Sequence, residues 1–410
     1  MRRFFQPSLL VPSLIIGAVV VMVAVANWRD TQRSRESQTA APPIGTAGAP
    51  PTSRAALEQR IAEMEARLRT KPDDATAALA LADALLRQTR VAGNPGLALR
   101  AEQVLARVLT DDPSNYDANR MLGALYLSEH RFRDAVAIGE KNQAARPYDP
   151  VNYGVIGDGH LELGEYEQAF DAFDRMMTLR PSAAAYARVA YARELQGNLD
   201  GAIASMTLAA EATNVEDPEG LAWTHSQVGD LYLQRGKIPE AKREYAIASH
   251  AFPGHPFAVV GYARAIAAEG DRNGALSLLQ GLARTSPTPD VAARTGDLLE
   301  RLGRRGEAER QFALAETGWR VDAPDPKNLA RFLADHDRRI EEAVSVAEKA
   351  AEVRHDIFTE DALAWAYFKS GRLDAAKRAL ALALRTGTVD RDIRAHAAAI
   401  AAAVPQVAAR

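Results

Sequence analysis

The stretch Leu122-Gly123-Ala124-Leu125-Tyr126-Leu127-Ser128-Glu129-His130-Arg131-Phe132-Arg133-Asp134-Ala135 decides the fold, because its marks return further along the chain. Gly123, Tyr126, Ala135 and, just beyond, Pro147 recur 34 residues later as Gly157, His160, Ala169 and Pro181. A fixed period of this length is one helix-turn-helix unit copied along the sequence, and such units stack because none buries its apolar face alone. The small Gly123 admits a neighbouring helix closely, and Tyr126, three residues on, shares its face. In the next copy Gly164 suits a turn that needs positive φ. Ala169 and Phe173 set small against large one helical turn apart, and Pro181 ends the second helix because it has no N–H to continue the ladder.

The same marks spread outward. Gly229, Tyr232, Gly236, Ala241, Tyr245, Ala248 and Pro253 form the fullest copy, and Gly270, Ala275 and Pro287 repeat three of them 34 residues later. Gly296, Gly303, Ala308, Phe312 and Ala315 give another unit, and Ala364, Trp365, Tyr367, Gly371, Ala376 and Leu380 the last. At these residues the chain resembles the tetratricopeptide repeat family, whose pattern is a pair of antiparallel helices with small residues, an aromatic and a proline at set positions. The resemblance implies an all-α fold, a right-handed α-solenoid of about eight antiparallel repeats covering roughly Ala75 to Ala399. The register breaks at Arg90–Leu97, read as a longer loop, at Asn214–Gly220 and at Thr317–Asp325. Pro326 to Arg354 reads as a degenerate helix pair without the usual glycines.

The N-terminus has a different character. No charge falls between Arg3 and Arg29, and Ser8 to Ala26 is almost wholly aliphatic, long enough for one membrane span. Trp28 stands where an interfacial aromatic belongs. The expected organisation is a short tail (1–7), a transmembrane signal-anchor helix (8–28), a flexible Pro/Ala-rich linker (29–53), the solenoid (54–399) and a C-terminal tail (400–410). The expected location is a single-pass membrane protein with its repeats extracytoplasmic. Ala24-Val25-Ala26 keeps cleavage near Ala26 and secretion as the alternative.

Composition narrows the chemistry. Of 410 residues, 47% are hydrophobic and only 6% aromatic, with alanine filling many apolar positions as close helix packing requires. The formal charge of −3 comes with no basic block dense enough to track a phosphate backbone, so nucleic acid is not an expected partner. Without cysteine, thiol catalysis, disulfides and thiolate metal sites are excluded. His250 and His255 flank a turn with no third ligand nearby in sequence, short of what zinc needs. Asp158-Gly159-His160 could suggest an acid–base pair, but both side chains fall within a repeat helix, where packing explains them. Gly154-Val155-Ile156-Gly157-Asp158-Gly159 neither follows a strand nor opens a helix, so no dinucleotide site is expected. The expectation is therefore a non-enzyme with no cofactor, no metal and no small-molecule substrate.

What remains is the concave groove that the resemblance implies. Transferring the family's groove positions by register gives Arg120, Asp158, Glu162, Tyr191, Glu194, Trp223, Asp230, Arg264, Asp297 and Glu300, with Asp361, Trp365 and Lys369 in the last unit. This centre reads as acidic with aromatic interruptions, suited to a protein or peptide segment carrying Lys or Arg, with Tyr191 and Trp223 as anchors. The Lys and Asn clamp of family members that bind chaperone C-termini is missing: those positions hold Gly154 and Asp158, Ala187 and Tyr191, and Ser226 and Asp230. The expected function is a membrane-tethered scaffold or adaptor. The alternatives are an assembly or maturation chaperone for an envelope or secreted complex, similar to anchored repeat subunits of cytochrome c maturation, and, less favoured, an enzyme with a site grafted onto the solenoid.

Overall fold

In the computed structural model, which describes residues 51–321 and 326–408, all regular structure is helical. A leading helix α1 (Arg54–Thr70) precedes nine antiparallel pairs. These are α2 (Ala75–Ala92) with α3 (Gly96–Asp111), α4 (Tyr116–Ser128) with α5 (Phe132–Ala145), and α6 (Pro150–Leu163) with α7 (Tyr166–Leu179). Next come α8 (Ala183–Leu195) with α9 (Leu199–Glu211), α10 (Pro218–Gln234) with α11 (Ile238–Ala251), and α12 (Pro256–Ala268) with α13 (Arg272–Ala283). The array ends with α14 (Pro289–Arg301) and α15 (Arg305–Val321), α16 (Pro326–Asp335) and α17 (Ile340–Val353), α18 (Ile357–Lys369) and α19 (Leu373–Ala383), and a final α20 (Arg391–Ala408). The described residues hold one pair more than the eight expected, and the stretch read as a degenerate pair, Pro326 to Arg354, does form a complete one. The last helix also runs on beyond Ala399. The segment read as a membrane span, 8–28, lies outside the described residues, among which no helix is long and apolar enough to cross a membrane.

Local sequence sets the helix limits. Several first helices open on a capping side chain: Asp149 accepts from Val151 N–H at 3.0 Å, Asp217 from Gly220 N–H at 3.2 Å and Thr288 from Val291 N–H at 3.3 Å. Pro150, Pro218, Pro256 and Pro289 occupy the first turn, where a missing N–H costs nothing. Between the helices of a pair, Gly164 takes φ +79° and closes α6.

The repeat marks pack as small against large. A Cβ on Gly157 would overlap the Phe173 ring, which is 2% exposed on the second helix of the same pair. Tyr245 serves two units at once, its ring filling the space left by Gly229 in α10 and by Gly261 in α12, with no exposed surface. Its hydroxyl emerges on the other side and donates to Asp230 at 2.8 Å. The packing residue of one pair thus positions a carboxylate on the concave side.

The array winds back onto itself. Tyr166 Oη accepts from Ile357 N–H at 2.8 Å across 191 residues, and Glu162 pairs with Arg354 across 192, a separation of five to six repeats. Leu161, Phe173 and Leu195 share a core with Ile357, Ala383 and Ile393. At the N-terminal end, Leu57 and Val91 pack with Ala222, Ala248, Phe252 and Ala258. Arg54 donates to the carbonyl of Thr285. The turns between early helices therefore rest on the connections between later ones.

Candidate functional site

The concave side of the array holds a half-open cavity of about 1110 Å³. Four first helices, α8, α10, α12 and α14, supply most of its wall, with Asp158 of α6 at one end and Asp390 to Ala395, where α20 begins, closing one side. Asp158, Tyr191, Glu194, Trp223, Asp230, Arg264 and Asp297 line it together, so seven of the thirteen groove residues singled out above share one space.

The other six are not brought to it. Glu162 pairs with Arg354 in the contact between turns. Glu300 is exposed outside the cavity lining. Trp365 lies beneath α20, its ring stacked on His396 with centroids 4.1 Å apart. Arg120 is buried and bonds to Asp149 at 3.2 Å, Asp361 is buried against His396, and Lys369 sits over Trp365 beside Asp337. Of the histidines weighed as ligands, His255 is packed between Phe252 and Phe257. His160 lies 2.6 Å from Glu165 in its own turn.

Arginine changes the electrostatics expected of this wall. Arg188 Nε donates to Asp158 at 2.9 Å, and Arg264 donates to Asp230 at 2.8 Å. Asp230 and Arg264 stand 34 residues apart, equivalent places in successive repeats. That one-period spacing of acid and base is visible in the sequence, as is the 30-residue spacing of Asp158 and Arg188. Arg294, Arg301 and Arg391 also reach the cavity, and the register transfer missed them together with Arg188. The wall is therefore of mixed charge, and burial outweighs these partners enough to push the carboxyls of Asp158 and Asp230 above their ordinary range. Asp297, 3.3 Å from His336, is raised by burial in the same way.

Glu194 is the exception to this pairing. Among the described residues its carboxyl has no hydrogen bond or ion pair. Burial, reinforced by the nearby charges of Asp230 and Asp390, raises its pKa to about 7. Tyr191 stands one turn earlier on α8, its phenol held well above the usual range by burial and by Glu162 and Glu194. On the neighbouring α10, Trp223 adds an aromatic face packed with Met206 and Leu231. An uncompensated carboxyl beside apolar and aromatic surface favours a cationic group with an apolar stem.

Residues 155–216 and 229–288 match the family model of the tetratricopeptide repeat. The chain carries tetratricopeptide repeats. It is 25% identical over 255 residues to the cellulose synthase operon protein C of Pseudomonas fluorescens, a match that covers 62% of this chain and spans only 17% of that relative's length. Among solved structures it is similar to the human IFIT1 dimer with m7Gppp-AAAA, at 14% identity and a TM-score of 0.52, over 80% of this chain and 77% of that one. It is also similar to a thermophilic tetratricopeptide repeat protein of Thermus thermophilus, at 24% identity and a TM-score of 0.38, over 42% of this chain and 92% of that one. The IFIT1 likeness shows a shared helical repeat fold. Arrays of this kind are generally surfaces for protein–protein interaction.

Proposed function

We propose that this protein is a membrane-tethered scaffold whose repeats hold a partner protein by a segment inserted into the cavity between α6 and α14. The observation that carries the reading is Glu194, an unpaired carboxyl flanked by Tyr191 and Trp223 in a space large enough for several side chains. A Lys or Arg of the partner would compensate that carboxyl while its stem covers Trp223. The paired Asp158–Arg188 and Asp230–Arg264 would give the rim its specificity rather than its affinity. The tether rests on the uncharged run between Arg3 and Arg29 and on the Pro/Ala-rich stretch after it, which together would leave the array free to move near a membrane. In this reading the repeats lie on the extracytoplasmic side and no reaction is assigned to the cavity. A second reading, an assembly or maturation chaperone for an envelope complex, draws support from the likeness to a protein named for a cellulose synthase operon.

The test is photocrosslinking in intact cells, with the photoreactive group placed at Glu194 or Trp223, and at exposed Leu208 as control. A defined protein captured from the cavity positions and not from the control supports docking; identical capture from all three refutes it. Protease added outside the cytoplasmic membrane should digest the repeats if they are extracytoplasmic. Alkaline carbonate should release a chain lacking residues 1–53 but not the full chain.

A further inference from the structure

One turn beyond the register positions Tyr191, Asp230, Arg264 and Asp297 stand Glu194, Gln234, Ala268 and Arg301, and all four line the cavity. Residues three or four apart share a helix face, so these four form a second row across α8, α10, α12 and α14. The row changes character along its length, from a carboxyl through an amide and a methyl group to a guanidinium. Charges of the first row are already matched: Asp158 and Asp230 are held by Arg188 and Arg264, and Asp297 stands 3.3 Å from His336. The side chains of Glu194 and Arg301 have neither a hydrogen bond nor a salt bridge among the described residues. They do not offset each other either, because the charges acting on Glu194 are those of Asp230 and Asp390. Arg391 also faces the cavity without such a partner, but it lies between Asp390 and Asp392 in the chain.

Gln234 adds an independent mark. Its Oε1 is buried with no hydrogen-bond partner, an arrangement that costs free energy until an N–H arrives to fill it. Neighbouring packed helices lie about 8–10 Å apart, so the three steps from α8 to α14 cover roughly 25–30 Å. An extended chain crosses that distance in about eight residues, at about 3.3 Å each. A helix would need about 18 residues, and a cylinder about 10 Å across of that length fills roughly 2000 Å³, against a cavity of about 1110 Å³. Span and volume both select an extended segment, and the small Ala267 and Ala268 leave room for its backbone at α12.

We propose that the partner segment is extended and dipolar: it presents a Lys or Arg to Glu194 and, about eight residues away, an Asp or Glu side chain to Arg301, with a backbone N–H between them donated to Gln234. The inference rests on the reading of Glu194 as acceptor of a partner's cation. It adds the conformation of the segment, its second charge and the spacing of the two. Order along the row also places the cation towards the start of the array and the acid towards its end.

A displayed library of random twelve-residue peptides, flanked on both sides by fixed sequence so that no terminal charge is offered, serves as the probe and is selected on the full chain. Wild type should enrich a Lys or Arg and an Asp or Glu about eight positions apart. Glu194→Gln should lose the cation preference and keep the acid. Arg301→Glu, at an exposed position where the fold does not depend on the side chain, should keep the cation and exchange the acid for Lys or Arg. A single peptide from the wild-type selection should bind Arg301→Glu at least about tenfold more weakly and recover when its own acid is changed to Lys. Gln234→Met should weaken the same peptide about threefold or more. Enrichment of the cation alone, an acid preference indifferent to Arg301→Glu, or enriched positions at the helical spacings of three and four overturns this inference and leaves docking at Glu194 standing. Selection without a cation preference, or of no peptide at all, removes both.

Discussion

Glu219, in the first turn of α10, accepts hydrogen bonds from both Nε and Nη2 of Arg90, at 3.0 and 2.7 Å, across 129 residues of chain. Arg87 reaches the neighbouring Asp217 at 2.9 Å from the same helix. Both ends of this contact are places where the sequence loses its repeat register. The insertion after Arg90 and the break at Asn214–Gly220 look unrelated along the chain, yet in space they form one junction between the start of the array and its middle.

Replacing Glu219 with alanine should therefore lower stability by about 1–3 kcal/mol at neutral pH, since two arginines lose a buried acceptor. The loss should depend on pH in a defined direction. Burial opposes the charge of Glu219, but His255, Arg90 and Arg87 outweigh it and hold the carboxyl well below its ordinary range. A depressed folded pKa contributes stability that is complete above the unfolded value, about 4.3 for Glu, and is lost as pH falls below it. Urea unfolding of wild type and Glu219→Ala at several pH values checks this: the gap should be full at pH 7 and narrow below pH 4. A gap that stays constant would mean the junction does not depend on the charge.

These junctions explain what could and could not be read from the chain. Helix pairs follow from marks one period apart, because Gly157 with Phe173 and Gly296 with Phe312 are neighbours within a unit. Winding is different: it depends on contacts such as Glu162–Arg354, whose partners carry no mutual signal over 192 residues. The groove was legible to the same extent. Asp158, Asp230 and Arg264 sit where the register places them, but Asp361 and Trp365 face α20 because the chain returns over its own concave side.

Two glycines in different surroundings should respond to alanine with opposite signs. A methyl group on Gly261 meets the ring of Tyr245, which is fully buried and already wedged against Gly229, so neither can yield. Gly261→Ala should cost about 1–3 kcal/mol by overpacking. Gly306, near the start of α15, has nothing within 4 Å of the place a Cβ would occupy. Gly306→Ala should stabilise by about 0.5–1 kcal/mol through helix propensity and a less free unfolded chain. Thermal unfolding followed by circular dichroism gives both signs, and a stabilising Gly261→Ala would contradict the packing described.

Glu194 predicts a stability change that appears only as pH rises. Its folded pKa of about 7 exceeds the unfolded value of about 4.3, so the folded state binds a proton more tightly than the unfolded chain does. Stability is then lost as pH climbs from the lower value to the upper one, and the penalty is full above pH 7. Glu194→Gln should raise the denaturation midpoint at pH 8 and leave it unchanged at pH 4. A cationic partner in the cavity would act as the substitution does, so binding should tighten as pH rises through 7 and lose that dependence in Glu194→Gln. Equal effects of the substitution at both pH values would show that the carboxyl already has a compensating charge.

His396 also loses stability as pH rises, but as a favourable contribution that fades and not as a penalty that appears. Burial opposes its charge, but the hydrogen bonds to Asp335 and Asp361 prevail and raise its pKa to about 9. The groups facing it are those two carboxyls, Arg331 between them and Asp392, Trp365 with Lys369 over the same ring, and His336 beside Asp335. A raised folded pKa on a base contributes stability that is fully present below the unfolded value, about 6.5, and disappears as pH rises through the folded one. His396→Ala should cost about 2 kcal/mol at pH 6, where a charged imidazole bonds to the buried carboxyl of Asp361 and faces the part-exposed Asp335, and progressively less between pH 6.5 and 9. Unfolding measured for wild type and variant across this range tests it. Because α20 is fixed through this ring, the same rise in pH should loosen α20 before the rest of the array, and hydrogen exchange corrected for intrinsic rates should show residues 391–403 opening at pH 9 while α18 stays protected. If His396→Ala cost the same at pH 6 and pH 9, the imidazole would be held as a neutral ring by stacking on Trp365 alone.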